Sequence, residues 1–234
     1  MLMRAIVVTG VVMVVGSMLA GCRSKEHVIH GESVPRDGKV VTAILETSAG
    51  DITLELDRER APLSVDNFVR HAKAGHYDNT VFQRVISNFV IQGGSHTPEL
   101  MNLPASDAAA RTPGEPLGLD RPIKNEWQNG LKNVKGSVGL GRDTDPDSGT
   151  REFYINVVDN PRLDTPREIS GGAGYAVFGR VTDSWDAVEK IRTGVTGSRA
   201  EKIRKNGELV DGEMMKDVPL ELVVVKRVRI VGDR

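Results

Sequence analysis

One arginine in an apolar stretch invites a chemical reading. Arg84 sits between Phe82-Gln83 and Val85-Ile86, and the next extended segment carries Phe89, Val90 and Gln92. Later strings repeat this mixture of aromatic and polar residues: GSVGLGR (136–142), REFYIN (151–156), RLD (162–164) and GYAVFGRV (174–181). A guanidinium is always charged, rigid and forked, a donor suited to the polar groups of a ligand. The same arginine also fits a solvent-facing strand position or half of an ion pair. Taken alone, Phe89 and Tyr154 read by default as core aromatics, and Gln92 as an amide that caps backbone groups. Other chemistries lack their residues. The five histidines (27, 30, 71, 76 and 96) have no metal-ligand spacing. Asp143, Asp145 and Asp147 alternate in DTDPDSG, but the closing Glu of an EF-hand loop is missing and Pro146 intrudes, so a turn is expected. No Gly-rich loop that would cradle phosphates is present. A net charge of −1 lacks the footprint of a nucleic-acid binder.

Those residues must be held by short strands. VVTAILETS and DITLELD flank Ala49-Gly50, and Ile52, Leu54 and Leu56 alternate with polar neighbours, so a β-hairpin is expected. Pro62 opens a helix whose apolar face is Val65, Phe68, Val69 and Ala72, and Gly75 stops it. Further strands are expected at 80–86, 89–92, 137–142, 152–157, 176–182 and 219–231. A second helix begins near Ser184, capped by Asp183, with Trp185, Val188 and Ile191 on one face. Residues 95–121, with four prolines, and the charged stretch 194–216 read as loops. Runs of strands with two helices are not βαβ alternation. The expected class is mainly β, a closed antiparallel barrel with helices over its open ends. At 234 residues the chain buries a core without disulfides or metals.

The first residues read as an export signal. Residues 5–18 are almost wholly apolar, too short a run to span a membrane, and Leu19-Ala20-Gly21-Cys22 follows. LAGC looks like a bacterial lipobox, in which cysteine becomes the lipidated first residue after cleavage. Residues 1–21 are then a signal peptide, 22–39 a polar tether and 40–234 the folded domain. Lipid on Cys22 would anchor an exported protein to the bacterial cell envelope, facing the periplasm or at the cell surface. His27 and His30, in the tether, read as solvated.

Taken in order, FQRVISNFVIQGG (82–94), GSVGLGR, REFYIN, RLD and GYAVFGRV resemble the cyclophilin family of peptidyl-prolyl isomerases. The resemblance runs from about Val40 to Val231. ETSAGDITLEL, APLSVDNFVRHAKAGHYDNTVFQRV, PIKNEWQNGLKNVKGS and DVPLELVVV fit it too. It implies an eight-stranded antiparallel barrel with two capping helices and cis/trans isomerisation of X-Pro bonds without a cofactor. It makes Arg84 the catalytic residue and Phe89, Val90, Tyr154 and Leu163 the lining of the proline pocket. Gln92 and the backbone near Gly141 and Arg142 would hold the peptide, with Phe82, Leu140 and Tyr175 at the edges. The implied partners are Pro-containing polypeptides, here exported ones whose folding is assisted, with no nucleic acid, and a monomer is expected. Four positions depart from the family's usual residues: Gln83 for His, Glu152 for Gln, Tyr154 for Phe and Arg162 for Trp or Phe. Glu152 is placed to pair with Arg84 and compete with substrate, and Tyr154 adds a hydroxyl at the pocket. Glu152 and Arg162 favour the other reading, a module that grips Pro-containing segments without turning them over; Arg84, Phe89 and Gln92 favour the enzyme.

Overall fold

Alternating side chains build the first hairpin. β1 (Val40–Thr47) and β2 (Gly50–Asp57) pair antiparallel, with Thr47 opposite Gly50. Val41, Ala43 and Leu45 with Ile52, Leu54 and Leu56 are buried on one face. The computed structural model describes residues 39–103 and 121–231 of the chain; Cys22 and the expected signal peptide and tether lie outside them. α1 (Pro62–Lys73) has Pro at its first turn and buries the expected Val65, Phe68, Val69 and Ala72. No side chain of its own caps its start. Glu126 does so from a distant loop, its carboxylate accepting the Leu63 and Ser64 N–H groups at 3.0 and 2.8 Å. Gly75, at φ +73°, carries the chain away from the helix end.

The expected strand over 80–86 divides into β3 (Thr80–Val81) and β4 (Arg84–Val85). Then come β5 (Val90–Gly93), β6 (Ser137–Leu140), β7 (Phe153–Asn156), β8 (Val177–Asp183), α2 (Trp185–Arg192), β9 (Thr196–Lys205), β10 (Glu208–Pro219) and β11 (Val224–Val231). Nine strands form one antiparallel sheet in the order β3-β11-β1-β2-β8-β6-β7-β5-β4. The closed eight-stranded barrel is therefore corrected to a curled sheet of nine strands whose ladder stays open. Its two edge strands follow one another in the chain, joined only by Phe82-Gln83. Consecutive stretches running the same way cannot pair with each other. Two linking residues also reach no further than about 10 Å, so the edges are held close by chain rather than by hydrogen bonds.

The stretch expected as a loop at 194–216 is instead a long hairpin. β9 and β10 pair antiparallel as a second sheet, with register shifts between Asp211 and Met214 and between Met215 and Val218. Asn206-Gly207 turns the arm with both φ angles positive, +53° and +88°, the conformation of a tight hairpin turn. The base of the arm packs where the sheet edges approach: Val218 is buried with Val81 and Leu100, beside Met215, Leu222 and Val224. Lys202 N–H donates to the Leu100 carbonyl at 2.9 Å. At α2 the expected Asp183 cap is also corrected. Ser184 occupies the cap position at φ +67° without a side-chain cap bond, and Asp183 Oδ1 accepts its N–H at 2.7 Å. The DTDPDSG stretch is a turn, in which Asp145 Oδ1 accepts the Asp147 N–H and the Asp145 carbonyl accepts the Ser148 N–H.

α1 closes one end of the core. Phe68 meets Tyr77 at 4.9 Å and Phe153 edge-on at 5.7 Å between ring centroids. His71, fully buried on the same helix, has its Nδ1 2.9 Å from His76 Nδ1. Burial, then the charge of Arg151, lowers the His71 pKa from 6.5 to about 3. Between those values the unfolded chain binds a proton that the folded chain refuses, so stability is lost as pH falls through this window. This group contributes a slope of up to about 1.4 kcal/mol per pH unit. Urea unfolding is expected to show falling stability from about pH 6.5 towards pH 4, and His71→Gln to flatten that slope.

Candidate active site

Strand register brings the candidate residues together. Arg84 on β4 lies opposite Gln92 on β5, Gln92 opposite Tyr154 on β7, and Tyr154 opposite Gly139 on β6. Paired residues share a face, so these four form one row across four strands. Their chain neighbours Val85, Ile91, Phe153, Ile155, Val138 and Leu140 point the other way, into the core. Leu140, expected at the edge of the groove, is thus a core residue. Phe82, also expected there, is fully buried against Phe153 at 6.0 Å.

The outer face carries a separate apolar cluster. Val90, Tyr154 and Leu163 are its buried members, with Phe89 and Tyr175 packed on them and partly exposed. The Arg84 guanidinium carbon stands 5.8 Å from the Phe89 ring centre, and that of Arg142 stands 4.1 Å from the Tyr175 ring centre. Arg142 Nη2 also donates to the Ser170, Ala173 and Gly174 carbonyls, each at 3.0 Å, which ties down the loop before Tyr175. Gly141 donates its N–H to the Glu152 carbonyl at 2.7 Å. Arg162 is exposed next to buried Leu163.

Tyr154 does not offer its hydroxyl to this cluster, contrary to expectation. The hydroxyl donates to Asn133 Oδ1 at 2.7 Å, as a buried phenol needs a partner. Asn133 belongs to an amide network that sequence reading missed. Its side chain donates to Asp164 at 2.9 Å and to the Tyr175 carbonyl at 3.2 Å. Asn156 donates to Asn133 Oδ1 at 3.1 Å, and Asn160 donates to Asn156 Oδ1 at 2.7 Å and to the Phe89 carbonyl at 2.8 Å. Three asparagines thus hold the segments carrying Phe89, Tyr154, Leu163 and Tyr175. No spacing in the sequence marks them, because they lie on separate loops and strands. Burial raises the Tyr154 pKa well above its ordinary value.

Glu152 and Arg84 are linked through an intermediary rather than as the expected direct pair. Arg84 Nη1 donates to Gln92 Oε1 at 3.0 Å, and Gln92 Nε2 donates to Glu152 Oε1 at 2.5 Å. Gln83 Nε2 donates to the same carboxylate oxygen at 2.7 Å. Burial raises the Glu152 pKa, against the pull of hydrogen bonds from Gln92 and Ser95.

Residues 42–214 match the family model of cyclophilin type peptidyl-prolyl cis-trans isomerases. The chain belongs to the cyclophilin-type peptidyl-prolyl cis-trans isomerases. It is 41% identical over 191 residues to the isomerase cyp18 of Streptomyces antibioticus, covering 82% of this chain and 99% of that one. To isomerase B of Escherichia coli it is 37% identical over 184 residues, covering 79% and 96%. Among solved structures, a cyclophilin-type isomerase of Cryptosporidium parvum superposes with a TM-score of 0.57 at 17% identity, over 83% of this chain and 99% of that one. The same Cryptosporidium isomerase has been solved in the presence of the dipeptide Ala-Pro.

This cyclophilin needs a glycine at 139. A Cβ there would lie 2.2 Å from the Tyr154 ring and 2.3 Å from its hydroxyl, and the strand neighbours fix both backbones. Gly139→Ala is expected to displace the Tyr154 ring, lowering the melting temperature and isomerase turnover together. Tyr154→Phe keeps the ring and gives up one buried hydrogen bond. It is expected to cost on the order of 1 kcal/mol in chemical denaturation while leaving the pocket's shape.

Proposed function

We propose that this isomerase acts on X-Pro bonds of exported polypeptides and assists their folding, with Arg84 as the catalytic donor. The amide barrier is about 18–20 kcal/mol because the C–N bond has double-bond character. Uncatalysed exchange therefore takes tens to hundreds of seconds. In the twisted amide the prolyl nitrogen recovers its lone pair, and a donor aimed at it lowers the barrier. The observation that carries this reading is Arg84 held by Gln92 on the edge strand, beside Phe89 and on the same face as the cluster of Val90, Tyr154 and Leu163. The proline ring seats on that cluster, with Phe89 and Tyr175 as its rim. A guanidinium placed in advance beside an apolar surface pays no reorganisation when the amide twists. Gln92 and the backbone at Gly141 and Arg142 align the peptide. Phe82 and Leu140 support the site from the core.

Arg84→Ala is expected to remove most turnover of an Ala-Pro peptide in a coupled assay while leaving the unfolding midpoint within error. Arg84→Lys substitutes poorly, since it lacks the planar fork. Undiminished turnover in Arg84→Ala would overturn the mechanism.

The address proposed is the cell envelope, by lipid on Cys22. It rests on LAGC after an apolar run too short to span a membrane. Mass spectrometry of the native protein is expected to find Cys22 at the N-terminus carrying acyl chains. Cys22→Ser is expected to lose the lipid and the membrane fraction while keeping isomerase activity. An unmodified Cys22 in the mature protein would sink the anchor and leave the enzyme reading intact.

A further inference from the structure

Behind Arg84 the polar side chains continue past Glu152 towards the hairpin arm. We propose that Glu152, Gln83, Ser95 and His96 form a positioning chain that orients Arg84 through Gln92 and couples it to Glu201 on β9. This rests on the reading of Arg84 as the catalytic donor.

Hydrogen bonds run unbroken from Glu152 to His96, and the His96 ring then stands beside Glu201. Gln83 Nε2 donates to Glu152 Oε1 at 2.7 Å and to Ser95 Oγ at 3.0 Å. Ser95 Oγ meets His96 Nδ1 at 2.8 Å, and His96 Nε2 lies 3.4 Å from Glu201 Oε1. Gln83, Ser95 and His96 are all buried. Burial keeps the His96 ring towards its neutral form, against the pull of Glu201.

Chemistry explains why such a chain fixes Arg84. The Gln92 side chain has a donor end and an acceptor end, and either could face the guanidinium. Arginine only donates, so only the carbonyl end holds it. Glu152 Oε1 accepts from Gln92 and from Gln83, so Glu152 selects the orientation in which Gln92 turns its NH₂ inward and its oxygen to Arg84. Gln83 gives both of its amide protons to Glu152 and Ser95, which sets the carboxylate in place. None of Gln83, Ser95, His96 and Glu201 belongs to the apolar cluster of Val90, Tyr154 and Leu163. Their effect on turnover therefore runs through Arg84. The arm is tied to the body by Val218 against Val81 and Leu100, and by the Lys202 N–H bond to Leu100, so Glu201 is held at a fixed place.

The test separates kcat from KM by exchange spectroscopy on an Ala-Pro peptide, using the full folded chain. Ser95→Ala removes one oxygen from the middle of the chain. It is expected to lower kcat about three- to tenfold, the size of coupling between members of one network, with KM changed less than about twofold. In an Arg84→Ala background the same change is expected to have almost no further effect. Glu201→Ala, on the arm, is expected to lower kcat in the same direction, and Glu201→Gln to restore it, because it keeps a polar oxygen beside His96 Nε2. An equal loss from Ser95→Ala in both backgrounds would assign these residues to structure alone and overturn the proposal. So would unchanged kcat in both Ser95→Ala and Glu201→Ala. Full turnover in Arg84→Ala alone is a different result: it overturns the reading of Arg84, and the chain with it.

Discussion

Val81 and Arg84 are three residues apart in the chain yet end a nine-stranded sheet at opposite edges. That constraint forces the sheet to curl, and most of the remaining structure follows from it. Curling gives every central strand an inner and an outer face. Val85, Ile91, Val138, Leu140, Phe153 and Ile155 fill the inside, while Arg84, Gln92, Tyr154 and Gly139 make a row on the outside. Arg84 sits on the edge strand because that strand begins where the linking residues end. Its position is thus fixed by the same chain segment that brings the edges together.

An edge strand has a free side, and this protein manages it with the hairpin arm. β10 packs beside β4, and Val218 fills the space next to Val81 and Leu100. Covering the seam removes apolar surface from water and shields a short, weakly paired strand from other chains. The covering also brings polar groups together: Gln83, Ser95 and His96 on the body approach Glu201 on the arm. A pure apolar contact would have held the arm as well. The polar one also fixes the orientation of amides that stand next to the guanidinium.

Reading the sequence located most of this where alternation was strong. Ile52, Leu54 and Leu56, the face of α1, and the strings around Gln92 and Tyr154 lie in elements that pattern and resemblance placed, while Arg84 lies on the second half of an expected strand that the structure divides. The arm escaped because TGSRAEKIRK and ELVDGEMMKDVP bury few side chains, so no apolar alternation marks them. One signal was present: Asn206-Gly207 between two extended stretches is the dipeptide of a tight hairpin turn. Leu140 and Phe82 were assigned to the groove by resemblance, but alternation from Arg84 and Gly139 puts Leu140 inside, and the kink at Phe82-Gln83 buries Phe82. The asparagine network was illegible for another reason. Asn133, Asn156 and Asn160 act only as a set, and the set exists only after folding.

Sheet order also dictates the timetable by which this chain becomes a structure. β11, Val224–Val231, lies between β1 and β3. A ribosome releases β1 and β3 long before it makes the strand that separates them. Until then β1 has one neighbour and β3 has none in the main sheet. The sheet therefore cannot be completed until synthesis reaches β11, and pairings between strands far apart in sequence slow folding. A prolyl isomerase is here itself a protein whose architecture waits for a late strand.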